Sequence, residues 1–424
     1  MTRAVVEATQ MLQGEVAAPP SKSYTHRAII ASSLSKGLSH IKFPLYSEDI
    51  FSTIKACMSF GVSITQDTGE LCVIGSTILT APSSVLNCGD SASTLRFLIP
   101  VAALANGKTV LDGNVGLRKR PIGPLVKALE SLGVKCSSSQ GFPPVTVAGR
   151  SFRGGKVSMV GDVSSQFVTG LLFASPLAEE DTEITLTTPL ESKPYIELTL
   201  DVLRDHGIKT DASPNYRRFR IFGQQQYVPQ DHLVPGDFSS AAFLLAAGAM
   251  LVSDITVCNL FLNQPDDEII RILSKMGASI TLTNSSVRVR GRKLKGIEID
   301  AKDIPDLVPV CAALGCVSEG TTHIFGAKRL RLKESNRLTT LSSELSKMGA
   351  NIVETSEGLT ITGPCKLRGA TIIPHNDHRI AMACTIAGLN AVGKTEILEA
   401  ECVNKSYPNF FEDLKILGAN LYVR

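Results

Sequence analysis

Within five residues, Lys333-Glu334-Ser335-Asn336-Arg337 sets two cations around one acid, and the same theme returns along the chain. Lys22 and Arg27 sit in Ser21-Lys22-Ser23-Tyr24-Thr25-His26-Arg27. Arg118, Lys119 and Arg120 precede Pro121, Lys193 precedes Pro194, His378 and Arg379 are adjacent, and Lys405 stands just before Ser406-Tyr407-Pro408. Cations at such points can hold phosphate and carboxylate groups, because the first amides and the dipole of a helix add to their pull. Arginine is suited to this, since its planar fork meets an oxyanion at two points. The chemistry suggested is the handling of small, multiply charged anions.

Those residues cluster where helices should begin. Gly89-Asp90-Ser91-Ala92-Ser93, Gly161-Asp162-Val163-Ser164-Ser165-Gln166, Gly236-Asp237-Phe238-Ser239-Ser240, Asp303-Ile304-Pro305-Asp306 and His375-Asn376-Asp377-His378-Arg379 are polar entrances to apolar runs. Capping by Ser or Asp accounts for each entrance taken singly. It does not account for Lys22, Arg27, His378 and Arg379 gathering at the same points, and there anion binding is the stronger reading.

The elements behind these entrances form a sixfold repeat. A helix, a glycine and a strand recur at Gly61, Gly133, Gly207, Gly277, Gly349 and Gly418, with spacings of 72, 74, 70, 72 and 69 residues. Such regularity marks internal repetition. In the fifth, Leu338, Leu341, Leu345 and Met348 give an amphipathic helix, with a strand expected from Ala350 to Val353. Earlier in each unit lies a helix apolar nearly all round, expected over Ala28 to Leu34, Leu95 to Ala105, Phe167 to Ala178, Ala241 to Val252, Val308 to Val317 and Ile380 to Leu389. A helix without a polar face is a buried one. Prolines 121, 194, 265 and 408 are placed to begin the surface helices. Tyr227 to Pro235 divides the units three and three, so the expected domains are 18–234 and 1–17 plus 235–424. Gly388 to Thr395 matches a phosphate-loop pattern, but a helix leads in and a strand follows, the reverse of the order that motif requires.

Bulk properties narrow the class. With 424 residues and 43% hydrophobic content the chain can bury large cores. A net charge of +3, no Trp and 5% aromatics argue against nucleic acid. The longest apolar run is too short to span a bilayer, so no membrane association and a cytoplasmic location are expected. Ten cysteines without paired metal spacing read as reduced core thiols.

PPSKSYTHRA, GDVSSQF, SKPYIE, IPDLVP, RLKESNR, NDHRIAMA and NKSYPNFF, in this order over the full length, closely resemble the EPSP synthase family. The resemblance implies a two-domain inside-out α/β barrel of six βαβαββ repeats, three per domain, that closes on its substrates. It implies transfer of the enolpyruvyl group of phosphoenolpyruvate to the 5-hydroxyl of shikimate 3-phosphate, with release of phosphate and no metal or organic cofactor. By the same resemblance Lys22, Ser23, Arg27, Ser164, Ser165, Gln166, Ser192, Tyr195, Asp306 and Lys333 would contact shikimate 3-phosphate. Lys22, Ala92, Arg120, Gln166, Arg337, His378, Arg379 and Lys405 would contact phosphoenolpyruvate. Asp306 is the candidate base, Glu334 the candidate acid, and Lys22 joins them as a catalytic residue.

A carboxyl that donates a proton at neutral pH needs a raised pKa, whereas Lys333 and Arg337 beside Glu334 would lower it. Ala92 stands where herbicide-sensitive members carry glycine, and its methyl should reduce sensitivity to glyphosate. Two alternatives remain: a UDP-N-acetylglucosamine enolpyruvyl transferase, disfavoured because Gly113 to Arg120 lacks that family's reactive cysteine, and a noncatalytic anion- or RNA-binding repeat protein. A monomer is expected, since two domains already enclose the site.

Overall fold

The computed structural model describes residues 2–424. One compact unit is Ser21–Val234; the other joins the residues up to Pro20 with Pro235–Arg424. Each unit contains three four-stranded sheets, and all six sheets share one topology. An outer strand pairs in parallel with a second, which pairs antiparallel with a third, which pairs antiparallel with a fourth. Gly155–Met159, Thr182–Leu186, Arg218–Ile221 and Thr210–Ala212 show the pattern. A parallel pair needs a crossover, and in four of the six sheets an apolar helix supplies it; in the other two the parallel partners, His232–Leu233 with Ile41–Lys42 and Met11–Ala17 with Val252–Cys258, come from distant parts of the chain.

In the first unit those helices are Lys22–Leu34, Ala92–Ala102 and Ser165–Ala174; in the other they are Phe238–Met250, Val308–Val317 and His378–Gly388. From Phe238 to Ala249 every residue of one of them is buried. The second helix of each repeat is amphipathic: Glu268–Met276 buries only Ile269, Ile272, Leu273 and Met276. Each repeat glycine follows its surface helix at a φ between 76° for Gly207 and 103° for Gly277. A side chain there would be strained, which is why the glycines recur. Each unit has its own apolar core.

The sixfold plan and its βαβαββ order are as expected, with differences at the edges. The division falls three residues later than 17/18. Ala18 N donates to Cys258 O at 2.9 Å, Asp237 N donates to Pro19 O at 2.8 Å, and Pro20 bridges Gly236. The apolar helices begin earlier than the apolar runs, at Lys22 rather than Ala28 and at Ala92 rather than Leu95, because their polar first turns are helical and largely buried. Of the four prolines only Pro194 lies in the first turn of its helix, Lys193–Asp205. Pro121 precedes Gly123–Ser131, where Pro124 takes that place, and Pro265 and Pro408 lie in turns ahead of Glu268 and Phe410. Lys328–Leu332 winds into a 3-10 helix, and the strand expected from Ala350 to Val353 is Ile352–Glu354. The phosphate-loop match is indeed helix His378–Gly388 followed by strand Lys394–Ile397. Four cysteines, Cys72, Cys136, Cys258 and Cys365, are only partly buried rather than core thiols. No described helix is long and apolar enough to cross a membrane.

Candidate active site

In the unit Ser21–Val234 three helix starts are capped by serine: Ser21 Oγ accepts from Tyr24 N (3.3 Å), Ser91 Oγ from Thr94 N (3.2 Å) and Ser164 Oγ from Gln166 N (3.3 Å). Buried hydroxyls tie the first two together. His26 Nδ1 meets Thr53 Oγ1 at 2.7 Å, Thr53 meets Thr94 at 2.6 Å, and Thr94 donates to Ser91 Oγ at 2.7 Å. Burial and the cations of Lys22 and Arg27 hold the His26 imidazole well below its ordinary pKa, so it is neutral.

Arg27 is buried and donates to Thr199 Oγ1, Ser23 O and Tyr195 O, each at 2.9 Å, with its guanidinium 5.1 Å from the centre of the Phe97 ring. Burial lowers its pKa to about 9. Three of the expected residues, Ser23, Arg27 and Tyr195, are thus brought together, with Arg27 binding the backbone that carries the other two. Lys22 Nζ lies 3.1 Å from Asp49 Oδ2. Ser192, at φ 59° and ψ 46°, starts the helix that carries Tyr195.

A second cluster forms around a residue the sequence reading passed over. Arg96 donates to Gln166 Oε1 (2.9 Å), Ser164 Oγ (3.3 Å) and Pro121 O (3.1 Å), and lies 5.1 Å from the Phe167 ring centre. Gln166 Nε2 in turn donates to Ser93 Oγ at 2.9 Å. The signal was present: Arg96 is the one charge in an apolar helix, and a charge there must have partners. Ala92, Arg120 and Ser165 are buried near these helix starts.

In the other unit the expected residues converge more tightly. Arg337, 1% exposed, gives Nε to Asp377 Oδ2 at 2.9 Å, Nη1 to Asp306 Oδ1 at 2.8 Å and Nη2 to Glu334 Oε2 at 2.5 Å. Asp306 also faces Lys333 Nζ at 3.5 Å and Arg379 Nη2 at 3.4 Å. Five predicted residues therefore form one lattice of alternating charge. Asp377, fully buried, joins the lattice: it caps the helix by accepting from Arg379 N (3.1 Å), as its place in the entrance suggests, and it also accepts from Ser335 Oγ (3.1 Å). Arg379 Nη1 donates to Ser239 O (3.2 Å) and Asp306 O (3.3 Å), and Lys405 Nζ to Asn376 O (2.9 Å). His378 is buried beside them at the helix start.

The electrostatics follow from this packing. Burial pushes the Asp306 carboxyl up, but Arg379, Lys333 and Arg337 outweigh it and hold it well below the usual carboxylate range. Burial lowers the Lys333 ammonium to about 8, assisted by Arg337 and Arg329 and opposed by Asp306 and Glu334. Asp306 is thus ionised at neutral pH, and Lys333 loses its charge at a lower pH than an exposed lysine.

The family model of EPSP synthase (3-phosphoshikimate 1-carboxyvinyltransferase) matches residues 6–414. The chain belongs to the EPSP synthase family. It is 46% identical to the 3-phosphoshikimate 1-carboxyvinyltransferase of Methanocaldococcus jannaschii, with 99% of each chain covered. It is likewise 46% identical to that of Methanocella arvoryzae, with 97% of each covered. The EPSP synthase of Acinetobacter baumannii superposes on it with a TM-score of 0.84 at 28% identity, covering 100% of this chain and 99% of that one. The fold is therefore the two-domain inside-out α/β barrel of EPSP synthases.

Proposed function

We propose that this chain transfers the enolpyruvyl group of phosphoenolpyruvate to the 5-hydroxyl of shikimate 3-phosphate and releases phosphate. The observation that carries the residue roles is the lattice in which Asp306 and Glu334 share Arg337. Asp306 takes the hydroxyl proton as the oxygen attacks the substituted vinyl carbon. Glu334 protonates the methylene carbon. Loss of a methyl proton and cleavage of the carbon–oxygen bond to phosphate then give product. Lys22, Ser23, Arg27, Ser164, Ser165, Gln166, Ser192, Tyr195, Asp306 and Lys333 serve shikimate 3-phosphate. Lys22, Ala92, Arg120, Gln166, Arg337, His378, Arg379 and Lys405 serve phosphoenolpyruvate. Two anions repel in contact, and fixed cations in a water-poor site outweigh that repulsion. When ligand oxygens engage Arg379, Lys333 and Arg337, Asp306 loses part of its counter-charge and becomes a stronger base. One chain supplies every assigned residue, which favours a monomer, and the biosynthetic character of the reaction favours the cytoplasm.

Phosphate release measured at steady state tests this: turnover should require both substrates together. Turnover with UDP-N-acetylglucosamine in place of shikimate 3-phosphate would overturn it.

Lys333 gives a pH signature. Its folded pKa is about 8, below the ordinary lysine value of 10.5, so rising pH strips its charge before that of an exposed lysine. Affinity for shikimate 3-phosphate should therefore weaken as pH rises through about 8. Binding near that pH should take up a proton, seen by calorimetry in buffers of different ionisation enthalpy. Lys333→Arg should abolish both effects, since arginine stays charged.

Ala92 is a buried first helical residue, and its methyl is proposed to restrict glyphosate more than phosphoenolpyruvate. Ala92→Gly should lower the glyphosate concentration for half-inhibition by about tenfold or more, the usual discrimination of one methyl in a pocket. Equal inhibition of the two proteins would remove the idea.

A further inference from the structure

Strands Gly37–Lys42 and Glu70–Gly75 pair antiparallel, and alternation sends Ser39, Ile41, Leu71 and Val73 into the core. The opposite face carries His40, Lys42, Glu70 and Cys72. His40 and Cys72 are direct cross-strand partners. The His40 amide points the other way, to Asp231 Oδ1 at 3.0 Å, so the pair is of the non-hydrogen-bonded kind, whose side chains lie closest. Glu70, two residues from Cys72, shares their face. Its Oε1 is hydrogen-bonded to His40 Nδ1, while Cys72 Sγ lies 3.4 Å from Glu70 Oε1 and 3.7 Å from His40 Nδ1.

We propose that His40 Nδ1, Glu70 Oε1 and Cys72 Sγ form a binding site for a divalent cation of the zinc class, with a fourth position open to water. Around a tetrahedral zinc, sulfur–nitrogen and sulfur–oxygen separations are about 3.5 Å, and the two distances to Cys72 already bracket that value. A cation needs only to part Glu70 from His40. Thiolate, imidazole and carboxylate are the donors zinc prefers, and two anionic ligands neutralise its charge. The side chains of His40 and Glu70 are 35% and 25% exposed, so a hydrated ion has access. Asp67 lies across from Glu70 on the next strand, and Thr65 across from Cys72. Lys42, also opposite Glu70, is an exposed lysine that can swing into solvent. Burial and Glu70 raise the Cys72 pKa, so the incoming cation displaces the thiol proton to solvent. None of the three residues takes part in the proposed transfer reaction. The cation would pin two strands of this sheet together.

The full chain, stripped with a chelator, is titrated with cobalt(II) and then zinc(II). One equivalent of cobalt should bind and produce a thiolate-to-cobalt charge-transfer band, which zinc abolishes. Cys72→Ser should lose the band, and His40→Asn should bind about tenfold more weakly or worse. Zinc should raise the Tm of the parent but not of Cys72→Ser. Unchanged phosphate release by the stripped variants shows that they are folded. Absence of the band, or its survival in Cys72→Ser, overturns the site and leaves the three groups as a hydrogen-bonded cluster only.

Discussion

Arg337→Met should destabilise the unit containing it by about 3–5 kcal/mol, the usual cost of removing one partner from a buried ionic network. Arg337 touches three carboxylates, and Asp377, fully buried, would lose its guanidinium. For a unit of this size the transition measured by calorimetry should fall on the order of 10 °C. Arg337→Lys should recover little of this, because one ammonium cannot reproduce a fork that serves three acids. The pH dependence gives a further check. In the parent, Asp306 is held well below its ordinary value of 3.8, so its contribution is fully present above that value and lost as pH falls through the folded pKa. In Arg337→Met the stranded acids hold protons more tightly folded than unfolded. Their penalty should therefore shrink as pH is lowered from 8 towards 5, and a deficit independent of pH would contradict the charge account. The same substitution should abolish turnover, because Arg337 positions both proposed proton-transfer groups.

The second large effect concerns those groups themselves. Asp306→Ala and Glu334→Gln should each lower kcat by about 10²–10⁴-fold, the range for loss of a positioned acid or base. Glu334→Gln keeps the shape and an oxygen for Arg337, so the folded state should survive. Asp306→Ala leaves Arg337 with Asp377 and Glu334. Calorimetry should show shikimate 3-phosphate binding retained by Glu334→Gln while its kcat collapses. An equal loss of binding would make Glu334 a structural ion-pair partner instead.

What the sequence disclosed depended on how local the signal was. Six glycines at one cadence reported six repeats because each answers a demand within a few residues, a left-handed stop after a helix. Lys333, Glu334 and Arg337 could be read together for the same reason, and Asp306 and Arg379 followed from their motifs. Helix starts were read too late because Lys22, Thr25, His26 and Arg27 look like loop residues, yet the last three are buried and matched to partners from distant segments such as Thr53 and Thr199. Arg96 and Asp377 were missed as partners because their contacts lie 70 and 40 residues away. His40, Glu70 and Cys72 have no motif at all. Only the register of two strands assembles them.

Strand pairing also dictates an order of assembly on the ribosome. Ala4–Glu7 and Met11–Ala17, made first, pair with Lys394–Ile397, Leu421–Val423 and Val252–Cys258. Met11–Ala17 can pair once Val252–Cys258 has emerged, whereas Ala4–Glu7 waits for Lys394–Ile397 and Leu421–Val423. Ser21–Val234, in contrast, holds all strands of its three sheets and is complete once His232–Leu233 reaches Ile41–Lys42. Domains fold as units during synthesis, early ones first. Both strands therefore stay unpaired while Ser21–Val234 folds, and Ala4–Glu7 waits longest, for the strands of the sixth repeat.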